Sequence, residues 1–314
     1  MAGFLKTPSL KSADLSAYTG QHLGMADTTE RQLNPHNPPA PPFDNTRDTR
    51  YFFPSAGHAE ALSRLLFLAE DRNMGMGLLT GEIGSGKTML RTVLHARLSP
   101  ETHTKVSIEN SLLDFDDLLL EILSQIQGQR LSASDYPDRY SRLAAFKRQL
   151  TEQIAGHGRH LVILLDEAQQ LDLPSLDALK GLTNIASERQ NFLTIILIGQ
   201  PELRGRLRQL PQVDQRVSLR FHLKAMTAEE TREYVRHRLT VSGYQGPFPF
   251  DQESLNTLFH ASRGIPREVN RICKIALEHV LAERLGRFTE PAIATVVDDL
   301  RRHGGLFDAG VDPP

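Results

Sequence analysis

The stretch Gly81-Glu82-Ile83-Gly84-Ser85-Gly86-Lys87-Thr88 restricts this chain more than any other part of it. It satisfies G-x-x-x-x-G-K-T. In that spacing, glycines let backbone N–H groups wrap an anion, the lysine reaches the outer charges, and the threonine hydroxyl is free for a divalent cation. Such a loop works only between a strand and a helix, because the positive end of the helix completes the cradle. The flanks comply: Gly77–Thr80 reads as a short strand and Lys87 onward as a helix. The expectation is an α/β chain that holds the phosphates of ATP on Gly81, Glu82, Ile83, Gly84, Ser85, Gly86, Lys87 and Thr88, with Mg²⁺ at Thr88.

The remaining pattern agrees. Lys105–Ile108, Leu161–Leu165, Leu193–Ile198 and Leu219–Leu223 read as further strands, with helices predicted over Phe115–Ile126, Tyr140–Ile154 and Pro174–Ser187. Leu161–Leu165 is apolar throughout, as expected of a strand covered on both faces of a parallel sheet. Strands alternating with helices predict a doubly wound parallel sheet. Before it, Ala59, Leu62, Leu65, Leu66 and Ala69 keep helical spacing. From Thr227 only helices are predicted, the first opened by a capping box of Thr227 and Glu230. The others cover Gln252–Ser262, Pro266–Glu283 and Glu290–Arg301. The division expected is a flexible Pro-rich arm over 1–47, an α/β nucleotide-binding domain over 48–225, a small all-helical lid over 226–303 and a loose tail over 304–314. The prolines near the end of the arm withhold backbone donors from helix and sheet.

A second acidic element completes the site. Leu161–Leu165 runs into Asp166-Glu167, which puts two carboxylates at the C-terminal end of a strand, where open α/β sheets bind ligands. Asp166 suits Mg²⁺, and Glu167 suits a general base on the attacking water. His157 and His160 have no Cys or acidic partner at zinc spacing. Cys273, the single cysteine, sits in helical register with Leu277 and Val280 and is expected to be a buried, inert thiol.

At this point the chain resembles an AAA+ ATPase. Ile195–Leu203 resembles the strand whose end carries sensor 1, which implies Gln200 as the polar residue facing the γ-phosphate or water; many relatives carry Asn there. Gln215-Arg216-Val217 resembles the segment that supplies an arginine finger to the neighbouring subunit, with Arg220 as the rival. Gly264-Ile265-Pro266-Arg267 resembles sensor 2, which implies Arg267 reaching the phosphates from the lid. Together with Tyr51-Phe52-Phe53, His58–Leu62, Asp166–Gln169 and Gly199–Leu203, these motifs are similar to the ExeA-like (general secretion pathway protein A) ATPases. Transposition regulators of the TnsC, TniB and MuB kind share that branch. The resemblance covers about Arg50 to Arg302. It implies Tyr51 and His58 near adenine, although ordinary packing explains both equally well.

What the ATPase serves stays open among three readings. A transposition regulator would form a ring or helical homo-oligomer on double-stranded DNA and recruit a transposase. A secretion or pilus assembly ATPase of the ExeA type is the second, and a generic nucleotide switch the third. ExeA-type proteins carry a membrane anchor and a peptidoglycan-binding region after the core, and the chain stops soon after the lid, which favours the first. The formal net charge of −2 provides no global basic field. Arg130, Arg139, Arg142, Lys147 and Arg148 form either a DNA-facing stripe or a solvated helical face. Met1–Leu15 lacks the apolar core of a signal peptide, and no apolar run approaches the ~20 residues that span a bilayer. A cytoplasmic protein without membrane contact is expected.

Overall fold

The computed structural model describes residues 41–303 except 72, 110–111 and 186–190. Most of the predicted arm and the tail 304–314 therefore lie outside the described residues. Five strands, β1 (Met76–Gly81), β2 (His103–Ile108), β3 (His160–Leu165), β4 (Leu193–Gly199) and β5 (Val217–Leu223), form one sheet in the order β2-β3-β4-β1-β5. Every pairing is parallel. The pleat then sorts the side chains. Leu161, Ile163 and Leu165 join Leu193, Ile195 and Leu197 in one core, under α3 (Phe115–Gln127), α4 (Arg139–Arg148), α5 (Leu173–Thr183), α6 (Glu202–Arg208) and α7 (Pro211–Asp214). Val162, Leu164, Ile196 and Ile198 join a second core under α1 (Ala56–Glu70) and α2 (Lys87–Arg97). Helices thus cover both faces, and the sheet is doubly wound.

Two local expectations need correcting. The helix predicted over Tyr140–Ile154 stops at Arg148, and the chain continues in a wider π-type turn over Gln149–Ile154. That turn keeps both Leu150 and Ile154 buried before Gly158 ends the run in a left-handed conformation. The short helices α6 and α7 were not predicted, because neither is long enough to show a period.

The lid consists of α8 (Ala228–Val241), α9 (Gln252–Ser262), α10 (Pro266–Ala282) and α11 (Glu290–Arg302), packed around Val235, Leu258, Ile272 and Ile293. Its opening capping box is formed in full: the Thr227 hydroxyl accepts from the Glu230 N–H at 3.2 Å, and the Glu230 carboxylate accepts from the Thr227 N–H at 2.9 Å. The same carboxylate accepts from the Ala56 N–H at 2.9 Å, tying the lid to the first turn of α1. Cys273 is fully buried in the lid core, and burial pushes its thiol pKa up.

The end of the predicted flexible arm is an ordered strap. Phe43 is 2% exposed and belongs to the lid core. Arg238 donates to the carbonyls of Pro42 and Asp44, Lys274 pairs with Asp44 at 2.6 Å, and the Asn270 amide donates to Asn45 at 3.2 Å. A proline-rich segment lacks donors but not acceptors, and here Arg238 uses those acceptors. One aromatic side chain filling a socket outweighs the composition around it. Phe43→Ala is expected to lower unfolding stability by about 3 kcal/mol, the scale for emptying a buried aromatic site. Denaturant titration of the full chain checks this.

Candidate functional site

Because the strands run parallel, β1, β3 and β4 all end at one edge of the sheet. Three loops therefore meet there: the phosphate loop after Gly81, Asp166-Glu167 after Leu165, and Gln200 after Gly199. The lid and the strap close the other side. The resulting cleft, about 510 Å³, is lined from the core by Gly84, Lys87, Thr88, Asp166, Glu167 and Gln200 and from the lid by Arg267.

The phosphate loop is shaped for an anion. Gly84 and Gly86 have φ of 79° and 97°, which glycine adopts without strain. Gly86 caps α2 with no side-chain bond, so the N–H groups of the first turn remain available at the positive end of the helix. The Lys87 ammonium donates to the carbonyls of Gly81 at 2.7 Å and Glu82 at 2.8 Å. Burial lowers its pKa, opposed by the charges of Glu167 and Asp166. The Arg267 N–H donates to the Gly84 carbonyl at 3.3 Å, and a Cβ at Gly84 would meet the Arg267 Cβ at 2.6 Å. Arg267 thus rests directly on the phosphate loop.

Beneath the loop, Asp166 Oδ2 accepts the Thr88 hydroxyl at 3.1 Å and faces Arg91 Nε at 3.3 Å. Its Oδ1 accepts the Glu167 N–H at 3.0 Å. Burial raises the pKa of Asp166, and the Arg91 charge opposes it. One carboxylate beside one hydroxyl is a donor set suited to Mg²⁺, which is held by one or two protein oxygens and completes its shell with water and phosphate. Glu167 occupies a left-handed conformation at φ 51°, and its carboxylate accepts from the Gln169 amide at 2.6 Å.

His58 lines the cleft with both ring nitrogens engaged. Its Nε2 lies 3.0 Å from the Ser85 carbonyl, which can only accept, so Nε2 carries the proton; Nδ1, 2.7 Å from the Ser55 hydroxyl, then accepts. Burial lowers its pKa, which favours this neutral form. His58 thereby props the phosphate loop. Tyr51 lines the cleft, with the Arg238 guanidinium 4.4 Å from its ring centre. Arg216 does not meet the cleft. It lies before β5, at the sheet edge opposite Gly81, and donates to the Thr183 hydroxyl at 3.3 Å. Its rival Arg220 is held by the carboxylate and carbonyl of Asp214, at 2.8 Å and 2.6 Å. In the basic stripe, Arg139 pairs with Asp116, and Arg142 is buried against the Tyr136 carbonyl. Arg130, Lys147 and Arg148 are exposed.

Sequence reasoning missed a row of charges that reaches the site. Arg47 of the strap grips both oxygens of Glu109 at 2.6 Å, Arg91 reaches Glu109 at 2.9 Å, and Arg91 faces Asp166. The two arginines hold the Glu109 pKa down at about 2. Only the acidic end of β2 hinted at this, since Arg91 reads as an ordinary helix residue and Arg47 as part of the arm.

Comparison with known proteins agrees with this geometry. The family model for an AAA domain matches residues 70–207. Over 246 residues the chain is 37% identical to General secretion pathway protein A of Aeromonas hydrophila, a match covering 76% of this chain and 42% of that relative. The chain therefore spans less than half of the length of that relative. Among solved structures, the ADP form of the Aeropyrum pernix ORC2 protein matches with a TM-score of 0.61 at 20% identity, covering 82% of this chain and 72% of the other. The Drosophila ORC bound to DNA matches with 0.58 at 16%, covering 91% and 71%. At those identities the structures speak for the fold alone. Sheet order, phosphate loop, acidic strand end and helical lid together define an AAA+ nucleotide-binding protein. Within that class, the chain is similar to the ExeA-like (general secretion pathway protein A) ATPases.

The charge row makes a pH prediction. Glu109 is depressed from 4.5 to about 2, so its contribution is present above about pH 4.5 and is lost as pH falls toward 2. The melting temperature of Glu109→Gln should lie below that of the unmodified chain near neutral pH, and the gap should narrow progressively below about pH 4.5. Thermal melts across an acid series check this.

Proposed function

We propose that the chain binds MgATP in the cleft between core and lid and hydrolyses it as part of an oligomer. The observation that carries the reading is the meeting of three strand-end loops: Lys87 and Thr88 after β1, Asp166 beside Thr88 with Glu167 one residue on after β3, and Gln200 after β4. Gly81–Thr88 wraps the phosphates with backbone N–H groups, and Lys87 transfers its hydrogen bonds from the loop carbonyls to the phosphate oxygens. Thr88 and Asp166 hold Mg²⁺, which supplies charge neutralisation on the phosphates when bound. Glu167 takes the proton of the attacking water, Gln200 orients that water or the outer phosphate, and Arg267 reads the phosphates from the lid. Tyr51 contributes to the wall near the base. Arg216, on the far edge of the sheet from its own cleft, would serve a neighbouring subunit, and a closed ring or a helical array both satisfy that need.

For the biological setting, the 37% identity to General secretion pathway protein A favours the second reading, a secretion or pilus assembly ATPase of the ExeA type. The transposition-regulator reading has no comparable support. Its DNA-facing stripe is partly absorbed by Asp116 and the Tyr136 carbonyl, and the ORC likeness speaks for fold alone. No helix among the described residues is long and apolar enough to cross a membrane. The cytoplasm, where ATP is available, is the compartment proposed.

Lys87→Ala should weaken ATP binding at least about 100-fold. Glu167→Gln should bind ATP at near-normal affinity while turnover falls by about 10²–10⁴-fold, the range for loss of a general base. Nucleotide binding measured beside phosphate release separates the two. Full turnover in Glu167→Gln would remove Glu167 from the base role.

A further inference from the structure

We infer that Gln169 is the positioning residue for the proposed base, and that it couples Glu167 to the sensor position Gln200. This rests on the hydrolytic reading above. The Gln169 side-chain amide is used at both ends. Its Nε2 donates to Glu167 Oε2 at 2.6 Å, and its Oε1 accepts the Gln200 N–H at 3.1 Å. The orientation of the amide is fixed by chemistry, because an ionised carboxylate can only accept and a backbone N–H can only donate. A flipped amide would set oxygen against oxygen and N–H against N–H.

The surroundings hold the amide in place. Gly199 passes so close that a Cβ there would sit 2.5 Å from Gln169 Oε1, and the glycine at the end of β4 leaves room for the contact. The Arg206 guanidinium donates to the carbonyls of Gln169 and Leu171, which anchors the 3-10 turn Ala168–Gln170 from α6. Glu167 itself sits at φ 51° and ψ 36°, a region that non-glycine residues occupy only when neighbours hold them there. A single amide therefore spans the ends of β3 and β4. A shift of Gln200 against the outer phosphate would pull on Gln169, and through it on the carboxylate of Glu167. Gln169 is not among the residues that line the cleft, and its side-chain bonds go to Glu167 and the Gln200 N–H.

The test uses the full chain and compares Gln169→Ala, Gln169→Glu and the unmodified protein for ATP affinity and for single-turnover hydrolysis. Gln169→Glu nearly preserves size and keeps an acceptor for the Gln200 N–H, but it can no longer donate to Glu167. Both variants should hydrolyse about 10- to 100-fold more slowly, a fraction of what losing the base itself costs. ATP affinity should change less than about twofold. In a Glu167→Gln background, adding Gln169→Ala should cost little more, because the two changes remove the same function. Wild-type turnover in Gln169→Glu would overturn the inference, as would loss of affinity in step with rate, or a full additional loss in the Glu167→Gln background. An unmodified chain that turns ATP over beside a Gln169→Ala variant of equal speed defeats this inference alone. An unmodified chain that binds ATP without hydrolysing it defeats this and the hydrolytic reading together.

Discussion

The parallel packing of β3, β4 and β1 is the constraint on which the site depends. Each strand is buried at every position, so each must be apolar on both faces and can present polar groups only at its ends. Parallel direction then delivers all the C-terminal ends to one edge. Gly81 leads into the phosphate loop, Leu165 into Asp166 and Glu167, and Gly199 into Gln200. No side chain has to travel from elsewhere in the core to complete the proposed catalytic set. The register between Leu79 and Ile198, and between Leu165 and Leu197, fixes how far apart those groups stand.

The lid and the strap are joined to this edge by short polar contacts. Arg267 hydrogen-bonds the Gly84 carbonyl, Glu230 bridges its own helix cap to Ala56, and His58 links α1 to the Ser85 carbonyl. From the strap, Arg47 reaches Glu109, which reaches Arg91 beside Asp166. A change at the phosphates thus has physical routes both to the lid and to the strap. Exposed ion pairs contribute little stability individually, so the Arg47–Glu109 pair matters chiefly for where it leads.

Much of this was legible in the sequence, for identifiable reasons. Glycine spacing and the apolar run Leu161–Leu165 carry strong local signals, and so do the capping residues Thr227 and Glu230; their elements appear where expected. What was illegible depends on contacts remote in sequence. Phe43 lies in a proline-rich segment, and only its socket between lid helices shows that it is structural. His58 shows in sequence neither of its ring partners, and only the fold brings its two nitrogens to Ser55 and to the Ser85 carbonyl of the phosphate loop. Arg142 counts as surface charge in a linear reading, although its guanidinium is turned inward to the Tyr136 carbonyl. Gln169 sits in a recognisable motif, yet its role depends on Gln200, which only the sheet brings near.

The central claim is a hydrolytic site completed by a neighbouring copy of the chain. It is tested most directly by phosphate release from MgATP, measured per chain over a wide range of concentrations of the purified protein. Turnover per chain should rise with concentration and level off as assembly saturates, because Arg216 cannot reach the phosphate loop of its own subunit. Turnover per chain that is constant down to concentrations at which the protein is demonstrably monomeric would contradict the shared site. The absence of phosphate release at any concentration would contradict hydrolysis itself.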